Sequence, residues 1–448
     1  MSSKLKIKVL SRNPDEYIRE TKRDIHKVPR NYDPSLHPFE NPREYVRALN
    51  ATKLERVFAK PFVGALDGHK DGLNTLCKHP TSLSHLLSGA CDGEVRVWNL
   101  ARRQCVSDIQ AHDGMVQGLT FHPTGKTFLT CGSDKVIKQW IIDEEGQIEK
   151  EPRTTILGKT VFQSISHHGA KNIFATSGEQ VDIWDSTRTE PLRSFTWGVD
   201  SQQFVKFNPV ERDILASCAS DRSIILYDMR GSSPLRKVIL KLSSNALAWN
   251  PMEAFNFTVA NEDYNLYTFD MRKLSIPMNI HMDHVSAVMD VDYSPTGKEF
   301  VSGSYDKCLR IFPVTKGHSR EIYHTKRMQK VRTVQWTLDN KYILSGSDEM
   351  NIRIWKARAH EKMGVLRPRE KTALEYGEKL KEKFADHPLV KRISRHRHIP
   401  HVVYQSAKEH RIMKDSQRRK EANRRAHSKP GKVPYISERE KRVLGEVE

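Results

Sequence analysis

The amino-acid sequence predicts an all-β fold: a seven-bladed β-propeller over residues 62–356, with basic helical or extended segments at both ends. Three observations make that prediction. A short block closing on an aromatic residue recurs at Trp98, Trp140, Trp184, Tyr227, Phe269, Phe312 and Trp355, at intervals of 42, 44, 43, 42, 43 and 43 residues. That period is the length of a four-stranded propeller blade. Within the copies, runs such as Val95-Arg96-Val97-Trp98 and Ile352-Arg353-Ile354-Trp355 alternate apolar and polar residues, as strands do. Of the formal net charge of +19, all but +1 falls outside the repeats. Residues 66–356 hold 35 Lys+Arg against 34 Asp+Glu, residues 1–65 hold 14 against 8, and residues 357–448 hold 25 against 13.

Composition excludes several classes. No stretch approaches the roughly 18 consecutive apolar residues of a membrane span, so no membrane partner is expected. The six cysteines form no C-x-x-C pair, which argues against a zinc knuckle or a disulfide framework and for a reduced, intracellular, soluble protein. Three modules are expected: an N-terminal extension over 1–61, the propeller over 62–356 and a C-terminal region over 357–448.

In the extension, Asn13-Pro14-Asp15-Glu16 and Asn41-Pro42-Arg43-Glu44 share one logic, with Asn as N-cap, Pro at the first helical position and Glu at the third. The second should open a helix to about Val57 with Tyr45 and Leu49 on one face. Between them, Val28 to Phe39 carries too many prolines for helix or central strand. It reads as an extended strap offering Tyr32, Leu36 and Phe39 to partner grooves, although proline and charge also suit a disordered leader.

Five of the repeats place an Asp six residues before the aromatic, often beside Gly or Ser, which suits a tight turn between strands. In the fuller copies a His lies about 22 residues upstream, with a hydroxyl between: His69, Ser88 and Asp92; His112, Thr130 and Asp134; His284, Ser302 and Asp306. These blocks resemble the WD-repeat family, in which His, Ser/Thr, Asp and Trp form a buried hydrogen-bond chain. The resemblance implies such chains at His69, Ser88, Asp92 and Trp98, at His112, Thr130, Asp134 and Trp140, and at His284, Ser302 and Asp306. The third copy has Gly178 at the Asp place and lacks the His. In the seventh, Asp348 lies seven residues before Trp355, which implies an extra turn residue. A hydrolase needs one exposed, activated serine, whereas here the Ser/His/Asp set repeats, so no catalytic residue is expected. His167-His168 has no carboxylate or cysteine at ligand spacing, and nothing forms a phosphate loop, so neither metal nor cofactor is expected. Ring closure leaves an outer strand missing from the last blade, and Phe62-Val63-Gly64-Ala65-Leu66 is the segment to supply it.

Beyond Trp355, Glu370 to Phe384 is helical, with Ala373, Tyr376, Leu380 and Phe384 at spacings of three and four, and Asp386-His387-Pro388 ends it. A second helix runs from about His401 to Ala426, with few apolar residues beyond Val403, Ala407 and Met413. Lys391, Arg392, Arg395 and Arg397, then Arg418, Arg419, Lys420, Arg424 and Arg425, form basic clusters read as nucleic-acid or ribonucleoprotein contacts, with a nuclear import signal from Arg418 to Lys432. Aromatic residues are sparse there, so phosphates rather than bases should be held.

The leader Ser11 to Tyr17, the run Asn50 to Phe62, Ala260 to Arg272, and His396-Arg397-His398-Ile399-Pro400 resemble the WD repeat and SOF domain-containing family over essentially the full length. That resemblance implies a non-catalytic nucleolar scaffold of the small-subunit processome. Its implied partners are pre-rRNA, a box C/D small nucleolar ribonucleoprotein and other processome proteins, and its implied role is 18S rRNA maturation. Animal members are also similar to substrate receptors of cullin-RING ubiquitin ligases, which carry an aromatic-Asp-x-Arg box at a strand end. Here Tyr227-Asp228-Met229-Arg230 and Phe269-Asp270-Met271-Arg272 fit, which implies adaptor docking by Asp228, Arg230, Asp270 and Arg272. Trp184-Asp185-Ser186-Thr187-Arg188 has one residue too many.

Overall fold

Seven antiparallel sheets follow one another along the chain in the computed structural model, which describes residues 34–36, 39–198 and 201–447. Asn13 to Glu16, Tyr32 and the leader Ser11 to Tyr17 lie outside the described residues. Each sheet is a blade whose strands run in chain order from first to fourth. The blades span 73–110, 116–157, 164–195, 202–240, 244–282, 288–323 and 331–356. The seventh is completed by Phe62–Leu66, which pairs antiparallel with Ile352–Lys356 in the register Phe62 to Trp355 and Leu66 to Ile352. The ring therefore closes with its own N-terminal strand, as the missing outer strand required.

Stacking of blades face to face buries the middle strands on both sides, so Ile214–Ala219 is buried throughout. Between the fourth and fifth blades, Ile224, Leu226 and Val238 meet Leu247, Trp249, Phe257 and Phe269. At the turn joining second to third strands the backbone takes the left-handed conformation one residue after the Asp: Gly93, Lys135, Arg222, Tyr264 and Lys307 have φ between 64° and 88°. At Gly93 a Cβ would stand 2.0 Å from the His112 carbonyl oxygen, so only glycine fits. In the seventh blade the left-handed residue is Met350, at φ 69°. Glu349, six residues before Trp355, therefore occupies the Asp place. The turn has no extra residue, and Asp348 is not its Asp counterpart.

Two compact units arise: one comprises residues up to Lys60 with Ala359–His396, the other Pro61–Arg358 with Arg397–Glu448. In the first, helix α1 (Glu40–Val57) packs against α2 (Pro368–Lys383) and α3 (Pro388–Arg395). Phe39, not Asn41, is the N-cap of α1, without a side-chain cap. Pro42 is tolerated because the first four N–H groups of a helix have no intrahelical acceptor. Ala48 and Thr52 form the buried stripe, flanked by Tyr45 against Phe384 and His387. Glu44 pairs with Lys383 (2.6 Å) and Glu55 with Lys381 (2.8 Å). Phe39 and Leu36 are exposed.

In the second unit, α4 (His401–Ala426) follows the propeller, and Val443–Val447 then adds a fifth strand to the fourth blade, antiparallel to Pro234–Leu240. That strand and α3 had no counterpart in the sequence reading.

Candidate functional site

The hydrogen-bond chain is complete in the second blade. The Trp140 indole N–H donates to Thr130 Oγ1 (3.2 Å), Thr130 Oγ1 lies 2.8 Å from His112 Nε2, and His112 Nδ1 lies 2.9 Å from the Asp134 carboxylate. A carboxylate can only accept, so Nδ1 carries the proton and Nε2 receives the hydroxyl. Burial holds His112 below the usual imidazole range and thus neutral. In the sixth blade Ser302, His284 and Asp306 join at 2.7 and 2.8 Å, with Phe312 unable to contribute a donor.

The first blade departs from the expected chain. Trp98 donates to Ser88 (2.7 Å) and Ser88 meets His69 (2.6 Å), but Asp92 is not the next member. Asp92 accepts the Glu94 N–H instead (3.1 Å), and His69 Nδ1 faces Glu94 at 3.6 Å, beyond hydrogen-bond range. Glu94 is drawn to Arg96 at 2.8 Å. Burial lowers His69 to about 4. Ser88, Thr130 and Ser302 are wholly buried and open to no substrate, so these sets hold blades together. His168 Nδ1 accepts the N–H groups of Ala170 and Lys171, which gives that ring a turn to cap.

A cavity of about 600 Å³ opens where the first strands converge. Its two acids are already engaged. Asp290 accepts from Val334 N–H (2.8 Å) and Thr333 (3.1 Å), and Asp292 from Trp336 N–H (2.8 Å), bonds that staple the sixth blade to the seventh, while Lys78 of the first blade also donates to Asp292 (3.0 Å).

The two aromatic-Asp-x-Arg boxes end the third strands of the fourth and fifth blades in the same geometry. Asp228 accepts the Arg230 N–H (2.9 Å) and its Nε–H (3.1 Å). Asp270 accepts the same two groups of Arg272 at the same distances, and Arg272 Nη2 lies 2.8 Å from its other oxygen. This pairing holds Asp270 below the usual carboxylate range. The arginine side chains remain 67% and 64% exposed. In an up-and-down blade, first-to-second and third-to-fourth loops share one face of the ring, and second-to-third loops the other. Both boxes therefore lie on one face.

The tail meets the outer strands of the fourth to sixth blades and a turn on the opposite face. His410 of α4 stacks on Tyr264, in a second-to-third turn, at 5.3 Å and 6°. Arg442 pairs with Asp263 in the same turn (3.2 Å), and Lys441 reaches back to Glu421 (2.5 Å). Of the basic residues singled out, Arg418, Arg419, Lys420 and Arg424 are exposed on α4, while Arg425 covers the Tyr435 ring at 4.8 Å. Arg392 and Arg395 are exposed on α3, and Lys391 stands 4.0 Å from Asp386. Arg397 departs from the expectation: it is paired with Glu321 (2.9 Å) and donates to the Arg320 carbonyl (2.7 Å), so it anchors the tail to the sixth blade.

These features define a WD-repeat propeller protein with an anchored basic extension. The Sof1-like domain family matches residues 357–443, and the WD domain, G-beta repeat family matches 60–99, 103–140, 277–312 and 316–356. Residues 141–276, between those matches, hold the third and fourth blades and the first three strands of the fifth. The WD40 β-propeller domain of Doa1 shares the fold, with a TM-score of 0.57 at 17% identity over 66% of this chain and 96% of that one. The sequence is 64% identical over 445 residues to the DDB1- and CUL4-associated factor 13 of Xenopus tropicalis, covering 99% of this chain and all of the relative. It is 63% identical to that of Homo sapiens, with the same coverage. It is 47% identical over 467 residues to Protein SOF1 of Saccharomyces cerevisiae, covering 99% of this chain and 95% of the relative. The chain belongs to the family of DDB1- and CUL4-associated factor 13 and Protein SOF1.

Proposed function

We propose that this protein is a non-catalytic nucleolar scaffold of the small-subunit processome, needed for 18S rRNA maturation. The propeller over 62–356 serves as the protein-binding platform. The extensions over 1–61 and 357–448 meet pre-rRNA and its small nucleolar ribonucleoprotein. The observation that carries this reading is that Arg418 (3.9 Å from Glu438), Arg419, Lys420 and Arg424 stay exposed on α4, while Arg442, beyond the helix, pairs with Asp263 of the propeller. Cations held this way neutralise phosphates and release counterions, so binding weakens steeply with salt. Crosslinking followed by sequencing of bound RNA tests it: the wild-type chain should recover pre-rRNA, and the variant with all four residues changed to Gln should lose it. Equal recovery by the variant overturns the assignment.

A second reading has its own support, in the matched poses of Arg230 and Arg272 and in the relatives named for DDB1 and CUL4. On that reading the box face docks on the ligase's propeller adaptor, DDB1, and the protein also serves as a substrate receptor. The two readings use different groups, the box arginines and the exposed cations of α4, and are compatible. Arg230→Ala with Arg272→Ala should abolish adaptor capture and leave nucleolar location unchanged. Persisting capture removes the second reading.

A further inference from the structure

The two boxes are alike beyond their Asp and Arg. Before each box, a first-to-second loop lends a carbonyl to the turn: Met229 N–H donates to the Asp213 oxygen (2.9 Å) and Met271 N–H to the Phe255 oxygen (2.8 Å). Across the blade boundary, an arginine at the fourth strand of the preceding blade grips the turn from its other side. Arg193, in the third blade, donates to the carbonyls of Met229 (2.7 Å) and Gly231 (2.8 Å), which bracket Arg230. Arg236, in the fourth blade, donates to the carbonyl of Arg272 itself (2.7 Å). Both grips span 36 residues.

We propose that Arg193 and Arg236 are positioning residues for adaptor docking, holding the main chain of the two box turns so that Arg230 and Arg272 are presented in a single pose. The inference rests on the docking reading above and adds to it two residues outside the boxes. A surface arginine free to wander loses rotamer entropy when it docks, and fixing its backbone beforehand removes part of that cost. The same face shows how far the pose is set. Arg272 has its guanidinium 4.4 Å above the Phe255 ring, as well as its bonds to Asp270. At the equivalent place in the fourth blade stands Asp213, occupied by Lys171 at 2.9 Å. Arg230 therefore depends more on its grip than Arg272 does.

The blade-to-blade grip also recurs away from the boxes: Asn279 donates to the Val314 carbonyl (2.8 Å) and Arg320 to that of Ala357 (2.9 Å). Asn279 therefore provides the control, a grip of the same kind that touches no box.

The test uses the full-length chain, with purified DDB1 as the probe. Arg193→Ala with Arg236→Ala should weaken capture roughly tenfold, the scale of one or two charge-assisted hydrogen bonds. The thermal midpoint should stay put, and hydrogen exchange in the free protein should rise at residues 229–231. The Lys variants, which keep a donor within reach of the carbonyls, should restore both readouts, and Asn279→Ala should leave capture as it was. Unchanged capture in the double Ala variant, while Arg230→Ala with Arg272→Ala abolishes it, overturns the positioning role alone. So does weakened capture without faster exchange, which marks direct contact with the adaptor, or equal weakening by Asn279→Ala. If the Arg230 and Arg272 variants still capture DDB1, the docking reading fails and this inference with it.

Discussion

The propeller and its C-terminal extension solve opposite problems with charge. Residues 66–356 carry 35 cations against 34 anions, whereas residues 357–448 carry 25 against 13. In the propeller, polar groups are drawn inward and matched, as in His112 with Thr130 and Asp134, or Asp292 with Trp336 N–H and Lys78. In the tail, α4 buries only Val403 along 26 residues and is held by a few contacts at its margins. A helix with so little packing owes its place to those contacts. The ring is stabilised by apolar burial between successive blades, with matched polar groups in some of them, while the tail is attached at discrete points that leave its charge outward.

The comparison is broken most severely from inside a blade. Thr130→Val leaves the Trp140 indole N–H and His112 without their buried partner, which should cost about 2–4 kcal/mol. Equilibrium unfolding in denaturant measures it, and a loss under about 1 kcal/mol would show that the chain is dispensable.

Acid should strike the same region next. His281 is buried between Thr268 and the Lys316 carbonyl, and burial lowers it to about 4 against an ordinary 6.5. Between those values the unfolded chain binds more protons than the native one, so the stability is present above about pH 6.5 and lost as pH falls toward 4. Roughly 2–3 kcal/mol should disappear across that window through His281. His281→Gln should flatten the slope of stability against pH, and an unaltered slope would remove His281 as its source.

A smaller effect is expected where the tail attaches. Arg442→Ala removes the pair with Asp263, whose carboxylate keeps the Tyr267 hydroxyl as a donor. Opening of Val443–Val447 should become easier by roughly 1 kcal/mol, read as lost hydrogen-exchange protection there, while the propeller's midpoint holds. Exchange unchanged in that strand would mean that the backbone pairing with Pro234–Leu240 is sufficient by itself. The smallest effect on stability belongs to the exposed row: changing Arg418, Arg419, Lys420 and Arg424 to Gln should move the unfolding free energy by no more than about 0.5 kcal/mol each. A large loss in that variant would show the row to be structural.

Much of this was legible in the residues. The 42–44-residue spacing of the closing aromatics counts blades directly, because each blade repeats one strand pattern. The outer strand of the last blade follows from what ring closure requires, and α4 begins and ends where its composition changes. That neither Asp92 nor Glu94 bonds His69 was not legible, since both acids stand near the turn and the hold of Arg96 on Glu94 is a contact of the folded blade. Glu349 was hidden by the adjacent Asp348, a better turn residue by type, until the left-handed Met350 marked the register. Of the candidate sites, the box arginines could be read from four consecutive residues. Their grips could not, because Arg193 and Arg236 reach across a blade boundary to carbonyls that every residue possesses.

The sequence by itself therefore determined the number of blades, the closing strand, the long tail helix and where the charge lies, all properties of local pattern and spacing. Only the tertiary structure decided that the first blade's chain stops at His69, that Arg397 anchors rather than reaches out, and that Val443–Val447 joins the fourth blade. Those outcomes depend on which groups compete for one partner and which strand edge is open. Such competition is settled between residues far apart in the chain, where the periodicity of the sequence carries no information.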